Sequence, residues 1–351
     1  MWATDGLEFD AVQLRFAQRV SEALRTVLAR LRTESPDLAD SITTRLSQAC
    51  EAVISRVLLS PSVSQQLLWG GDSAAGTGRF LENCLRMEAV GARENAIQNG
   101  LPIWGALGNC VVRETGELAR WDPVDGRLPV DLESPDAIAL GSTLPTEAVG
   151  WTPLKREEQR LALETLTAAC LRVRRGGASL QALMETCARV IVMRRKPTKL
   201  FYSFSSCYSV GRIALVNPQL VSEALIAEAL VHEAIHAYLY MHEPTPLWGV
   251  KPGVRDEPGT AQSPWTGRAL PVCTFLHACF VWYGLFFFWG QVMCSSHAPA
   301  EEARRGIARA SAGFMKGPIL DQLGPERIGS IRQEVQAALA EMQQNVLAVV
   351  G

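Results

Sequence analysis

The chain has 351 residues, 48% of them hydrophobic and 20% charged, with 34 basic against 36 acidic side chains and a formal net charge of −2. That balance excludes the broad positive field that nucleic-acid binding relies on, and the length allows a core large enough to fix a buried site. Nine cysteines stand singly with no C-x-x-C pair, so they read as reduced thiols and neither as a disulfide framework nor as a cysteine zinc site.

The first ten residues, "MWATDGLEFD", have no basic start and no apolar signal core, so a cytoplasmic location is the expectation. In "EFDAVQLRFAQRVSEALRTVLARLR" the residues Phe9, Val12, Leu14, Phe16, Val20, Leu24 and Leu28 recur at helical spacing. "DLADSITTRLSQACEAVISRVLL" repeats the pattern after Ser35-Pro36, which predicts two antiparallel helices. The glycines of "WGGDSAAGTG", Trp69 to Gly78, predict a loop, and a third helix is expected from Arg79 to about Ile97. Between Gly100 and Gly150 short apolar runs broken by turn residues and prolines predict short strands.

Helical periodicity returns from Lys155 to about Arg174 and from Leu180 to Arg195, separated by Gly176-Gly177. Two strand candidates follow, "KLFYSFS" from Lys199 and "VGRIALV" from Val210. Asn217 reads as the N-cap of the next helix and Pro218 as its first residue, where the missing N–H is not needed. From Ala269 to Met293 the chain carries no Asp, Glu, Lys or Arg, and about 20 such residues suffice to span a bilayer. Pro271, His277 and Gln291 within it, and the lack of flanking basic clusters, favour a buried core helix over a membrane segment. The last segment, Ala300 to Val349, is helical and broken near Gly324-Pro325. The expected fold is α+β and predominantly helical: a helical N-terminal region over 1–98 and an α+β metal-binding catalytic domain over 99–351. That domain would have a small central sheet, with the site on a core helix beside a second buried apolar helix.

Within "EALVHEAIHAYLYMHEPTP", His232, Glu233 and His236 form H-E-x-x-H. Two histidines four residues apart lie one turn above the other on a helix face, as two imidazoles sharing one ion must. Glu233 stands at the adjacent angle, where a carboxylate can reach a metal-bound water and act as general base. Three of the five histidines fall in this short stretch. A third ligand has two candidates. His242 lies at the metzincin distance, but Leu239 stands where that pattern needs a glycine, and its Cβ resists the positive φ that would swing the chain round. On a continuing helix His242 points away. His277 lies in the apolar run, where an unpartnered imidazole costs a few kcal/mol to bury, so ligation or a hydrogen bond must satisfy it. His297, in "CSSHAPAEE", reads as exposed.

"HEAIH", followed after a variable loop by "SPWTGRALPVCTFLHACFVWYGLFFFW" from Ser263 to Trp289, resembles the 2-oxoglutarate-dependent HExxH-type peptide β-hydroxylases, the HExxH-motif proteins of peptide natural-product clusters. The likeness covers His232 to about Trp289, and "VGRIALVNP" loosely. It implies that His232, His236 and His277 bind Fe(II), and that Arg268 holds the distal carboxylate of 2-oxoglutarate. The substrate would be a ribosomally made precursor peptide hydroxylated at a C–H, with no nucleic acid and no membrane involved. Here "GRALP" separates Arg268 from Pro271, and Thr266 follows the Trp where an Arg is frequent, so Arg212 and Arg255 stand as alternatives for the oxoacid. Three protein ligands leave iron positions for a chelating oxoacid and dioxygen, and arginine offers the two-pronged fork that a carboxylate fits. Under this reading Glu233 is a supporting or substrate-contacting residue. The alternative is a zinc metallopeptidase with Glu233 as general base, zinc lowering the pKa of its bound water to about 7.

Overall fold

A computed structural model describes residues 9–70, 73–89, 103–113, 115, 117–134, 151–198, 200–294 and 300–350. It is an α+β fold dominated by helix, with twelve α-helices and three small sheets among the described residues. The N-terminal part holds α1 (Phe9–Glu34), α2 (Pro36–Gln48), α3 (Glu51–Leu58), α4 (Pro61–Trp69) and α5 (Ala74–Ala89). On α1 the residues Val12, Phe16, Val20 and Leu24 form the buried stripe. Leu14 does not belong to it and is 59% exposed, because two positions from Val12 is about 200° around a helix.

The single second helix expected after Pro36 is interrupted at Ala49 and Cys50, both extended, and the chain restarts as α3. Ser60 Oγ then accepts from Val63 N to cap α4, with Pro61 at the first position. α5 starts inside the expected loop, where Ser73 Oγ accepts from Gly76 N at 3.0 Å. The expected continuation of this helix toward Ile97 lies outside the described residues.

The strands β1 (Ile103–Trp104), β2 (Cys110–Val112) and β3 (Leu118–Arg120) form an antiparallel meander. After β4 (Val130–Asp131), α6 (Arg156–Arg175) and α7 (Ala178–Cys187) come β5 (Val190–Arg194), β6 (Tyr202–Phe204) and β7 (Arg212–Val216). The four-stranded sheet has the order β4-β5-β7-β6. β4 and β7 run parallel to β5, and β6 runs antiparallel to β7 at the edge.

The helix expected to reach Arg195 therefore ends at Cys187, and its last third is a central strand with all five residues buried. Uniform apolarity hides the period, but the β-branched run Val190-Ile191-Val192 fits a strand covered on both faces. Arg194, 0% exposed, locks β4 onto this strand: Nη2 donates to Asp131 Oδ1 at 3.1 Å and to Ser134 O at 2.9 Å, and Nη1 to Asp131 O at 3.0 Å.

Asn217 is not the cap of the next helix. It sits in the left-handed region at φ 55°, and its amide clasps the preceding loop, donating to Thr198 O and Leu200 O and accepting from Lys196 N. A 3₁₀ turn over Pro218–Leu220 follows, and Ser222 caps α8 (Glu223–His242) by accepting from Leu225 N.

α8 contacts α1, α6, α7 and the β6–β7 side of the sheet. It also contacts α9 (Val272–Cys294), which is reached through the hairpin β8 (Thr260–Gln262) and β9 (Ala269–Pro271). α9 is long and apolar enough to cross a membrane, yet 78% of its most apolar window is buried inside the protein, so it is a core helix. The chain ends with α10 (Ala300–Ser311), α11 (Pro325–Ile328) and α12 (Gln333–Val350). Gly306 and Gly313 permit close approaches here: a Cβ would meet the Trp289 ring at 2.2 Å and the Trp265 ring at 2.2 Å. One hydrophobic cluster runs from Phe9 through α8 and α9 to Val346, so the N-terminal helices share a core with the helix that carries H-E-x-x-H.

Candidate metal site

α8 presents His232, Glu233 and His236 with ligand atoms all within 4.8 Å of one another. His232 Nε2 and His236 Nε2 face each other at 3.3 Å. One ion at about 2.0–2.1 Å from each nitrogen can span that gap, so the pair fits a divalent transition metal. The His232 side chain is 37% exposed, which opens the pair on one side.

His277, on α9, is 4% exposed and meets His236 through the other ring nitrogen, Nδ1 to Nδ1 at 2.8 Å. One of these nitrogens must donate and the other accept. A proton on His236 Nδ1 satisfies His277 and leaves His236 Nε2 unprotonated toward His232. Burial pushes the pKa of His277 down to about 3. Burial, with His232 and His277 nearby, also holds His236 well below the ordinary imidazole range, against an opposing pull from Glu233. Both rings are thus neutral at physiological pH, the state a metal ion requires.

Glu233 is 3% exposed and is held from the sheet. Its Oε1 accepts from Ser203 Oγ at 2.7 Å and its Oε2 from Ser205 Oγ at 2.6 Å. Ser203 lies on β6 and Ser205 just beyond it, so two alternate residues of the edge strand face α8 together. Oε1 stands 3.9 Å from His232 Nε2. The residues Ser203 and Ser205 were not singled out by sequence, although their i, i+2 spacing in "SFS" was the available signal.

Aromatic rings close the far side. Tyr240 stacks on His236 with centroids 6.3 Å apart and lies 4.8 Å from His277. Trp248 meets His277 edge-on at 4.9 Å and Phe280 at 5.2 Å. Tyr240 follows His236 by four residues, a spacing legible beforehand; Trp248 sits in an irregular stretch with no such signal.

The remaining candidates lie elsewhere. α8 continues to His242, as the Leu239 argument requires, and His242 is exposed at its C-terminal end, with its carbonyl accepting from Arg19. Burial first, then Arg15 and Arg332, lower its pKa, and such cationic surroundings do not suit a metal. Arg268 is exposed in the turn between β8 and β9, and no hydrogen bond or ion pair among the described residues joins it to the histidines. Arg212 is half-buried at the start of β7, Arg255 is exposed, and His297 lies outside the described residues.

The sequence matches no protein-family model and no curated protein.

Proposed function

We propose that the protein is an Fe(II)/2-oxoglutarate-dependent oxygenase that hydroxylates a C–H, at the β-carbon, of a residue in a ribosomally made precursor peptide. The cofactor pair comes from the resemblance of "HEAIH" and the Ser263–Trp289 stretch to the HExxH-type peptide β-hydroxylases. The observation that carries the reading is the state of Glu233. Both its oxygens accept hydroxyl hydrogen bonds from β6, so the carboxylate that a peptidase uses as base is tied into the sheet.

Bound iron would supply the oxidation of the C–H bond, with 2-oxoglutarate as co-substrate. His232 and His236 are assigned to hold it through their facing Nε2 atoms, and the resemblance adds His277, which here meets the other ring nitrogen of His236 and would have to turn its ring to join them. Glu233, bonded to Ser203 and Ser205 and 3.9 Å from His232, is assigned a supporting role, and the resemblance assigns Arg268 to the distal carboxylate of the oxoacid. No described strand pairs with the outer edge of β6, which lies against Glu233. An extended peptide can add to such an edge through its main chain, and this supports a peptide substrate. The enclosure of α9 supports an enzyme that works away from the membrane, in the cytoplasm.

The test is anaerobic reconstitution with Fe(II), followed by oxygen, 2-oxoglutarate and any short precursor peptide found encoded beside the gene. Succinate and a hydroxylated peptide are the expected products; no turnover with all four present would sink the reading. The 3.9 Å approach of Glu233 Oε1 to His232 Nε2 favours a second reading, a zinc metallopeptidase. Zinc that survives dialysis, with proteolysis abolished in Glu233→Gln, would select it.

A further inference from the structure

The two contacts of the His236 ring differ in kind. Toward His277 the nitrogens are 2.8 Å apart, the ring centroids are 5.1 Å apart and the planes differ by 18°. A gap that short leaves centroids that far apart only when both nitrogens lie on the line joining the ring centres. The two Nδ1 atoms therefore point straight at each other, edge to edge in nearly one plane, as a hydrogen bond with its donor and acceptor in line requires. Toward His232 the nitrogens are 3.3 Å apart, yet the centroids are slightly closer, at 5.0 Å, and the rings are tilted by 58°. These two Nε2 atoms aim to one side of the line between them, as two lone pairs must if they are to meet on a single ion.

A neutral imidazole carries one hydrogen. For His236 Nε2 to offer a lone pair to a metal, that hydrogen must sit on Nδ1, and His277 Nδ1 is the atom placed to receive it. The ring of His277 is fixed where this contact needs it: it is 4% exposed, with the Tyr240 ring at 4.8 Å and the Trp248 ring edge-on at 4.9 Å. We infer that His277 is a positioning residue, which accepts from His236 Nδ1 and so sets the tautomer and ring plane with which His236 faces His232, and which does not itself bind the ion. Histidines that bind metals commonly have such a partner on the other ring nitrogen. The inference rests on the metal site proposed above and departs from the resemblance, which counts His277 among the ligands.

The experiment titrates the full chain with Co(II), whose visible spectrum reports its ligands, in variants that keep or remove the acceptor at this position. His277→Gln retains an acceptor in its amide oxygen, and His277→Leu has none. Cobalt should bind His277→Leu about ten- to a hundred-fold more weakly than wild type. It should bind His277→Gln with close to wild-type affinity and give the same spectrum at saturation in all three proteins. Equal losses of affinity in both variants, with a changed spectrum at saturation, would show His277 to be a ligand and overturn the inference while leaving the metal site standing. A second measurement needs no variant: nitrogen NMR of the histidine-labelled, metal-free wild type should find the hydrogen of His236 on Nδ1, and a hydrogen on Nε2 would overturn the inference too. Failure of the wild type to bind cobalt would overturn the metal site with it. Neither readout uses turnover, so a lack of succinate alongside the expected results would count against the oxygenase reading alone.

Discussion

Removing one serine hydroxyl from the clasp on Glu233 separates a charged, structurally held carboxylate from a neutral one. The contacts at 2.7 and 2.6 Å lie in the range of hydrogen bonds to a carboxylate anion. Such a bond contributes about 1.5–3 kcal/mol, and a neutral one about 0.5–1.5 kcal/mol. Ser205→Ala should therefore destabilise the metal-free protein by about 1.5–3 kcal/mol, because it leaves one oxygen of a 3% exposed carboxylate without its donor. In a Glu233→Gln background the same change should cost only about 0.5–1.5 kcal/mol, since the amide is neutral and the serine hydroxyl can turn to suit it. Urea unfolding of the four proteins in this cycle should then give a coupling of about 1 kcal/mol or more. Equal losses in both backgrounds would refute the picture of an anion clasped by β6, and with it the argument that Glu233 is tied down.

Three further outcomes follow from the geometry. Between the ordinary histidine pKa of about 6.5 and the folded value of about 3 for His277, the unfolded chain binds a proton that the folded chain refuses. The contribution of His277 to metal-free stability is thus intact above about pH 6.5 and falls by about 1.4 kcal/mol per unit as the pH drops toward 3. His236 acts in the same direction. His277→Leu should flatten the pH dependence of the urea midpoint, and an unchanged slope would count against a neutral buried imidazole. Fe(II) or Zn(II) at 100 times its dissociation constant should stabilise the wild type by about 2.7 kcal/mol. His232→Ala and His236→Ala should lose that gain while His242→Ala keeps it, as a thermal-shift titration would show. Gly306→Ala drives a methyl into the Trp289 ring, so it should cost about 1–3 kcal/mol by thermal or urea unfolding.

Helix spacing made the core of the site readable before any coordinates. His232 and His236 are neighbours because of α8 alone, and Leu239 was enough to keep His242 away from them. His277 was placed beside them by the cost of burying a lone imidazole, and the structure brings it against His236. What spacing could not supply was which nitrogen meets which, since that depends on how α9 crosses α8. The clasp from Ser203 and Ser205 is likewise a tertiary fact, joining a strand to a helix 28 and 30 residues away.

The fold misreadings have physical causes of the same kind. Val190–Arg194 is apolar at nearly every position, so no period distinguishes a doubly covered strand from a buried helix. Asn217 has the right chemistry for a cap, but its side chain is occupied by the loop over 196–200, and Ser222 does the capping instead.

The helix that carries H-E-x-x-H has protein against it from α1, α6, α7, α9 and the sheet. A rod wedged on so many sides is a fixed floor. Adjusting the site to a different ligand by sliding or tilting α8 would require repacking five neighbours at once, whereas β6 lies at the edge of its sheet and is paired on one side alone among the described residues. Divergence in what this site accepts should therefore be written in its walls, while the histidine floor stays where it is.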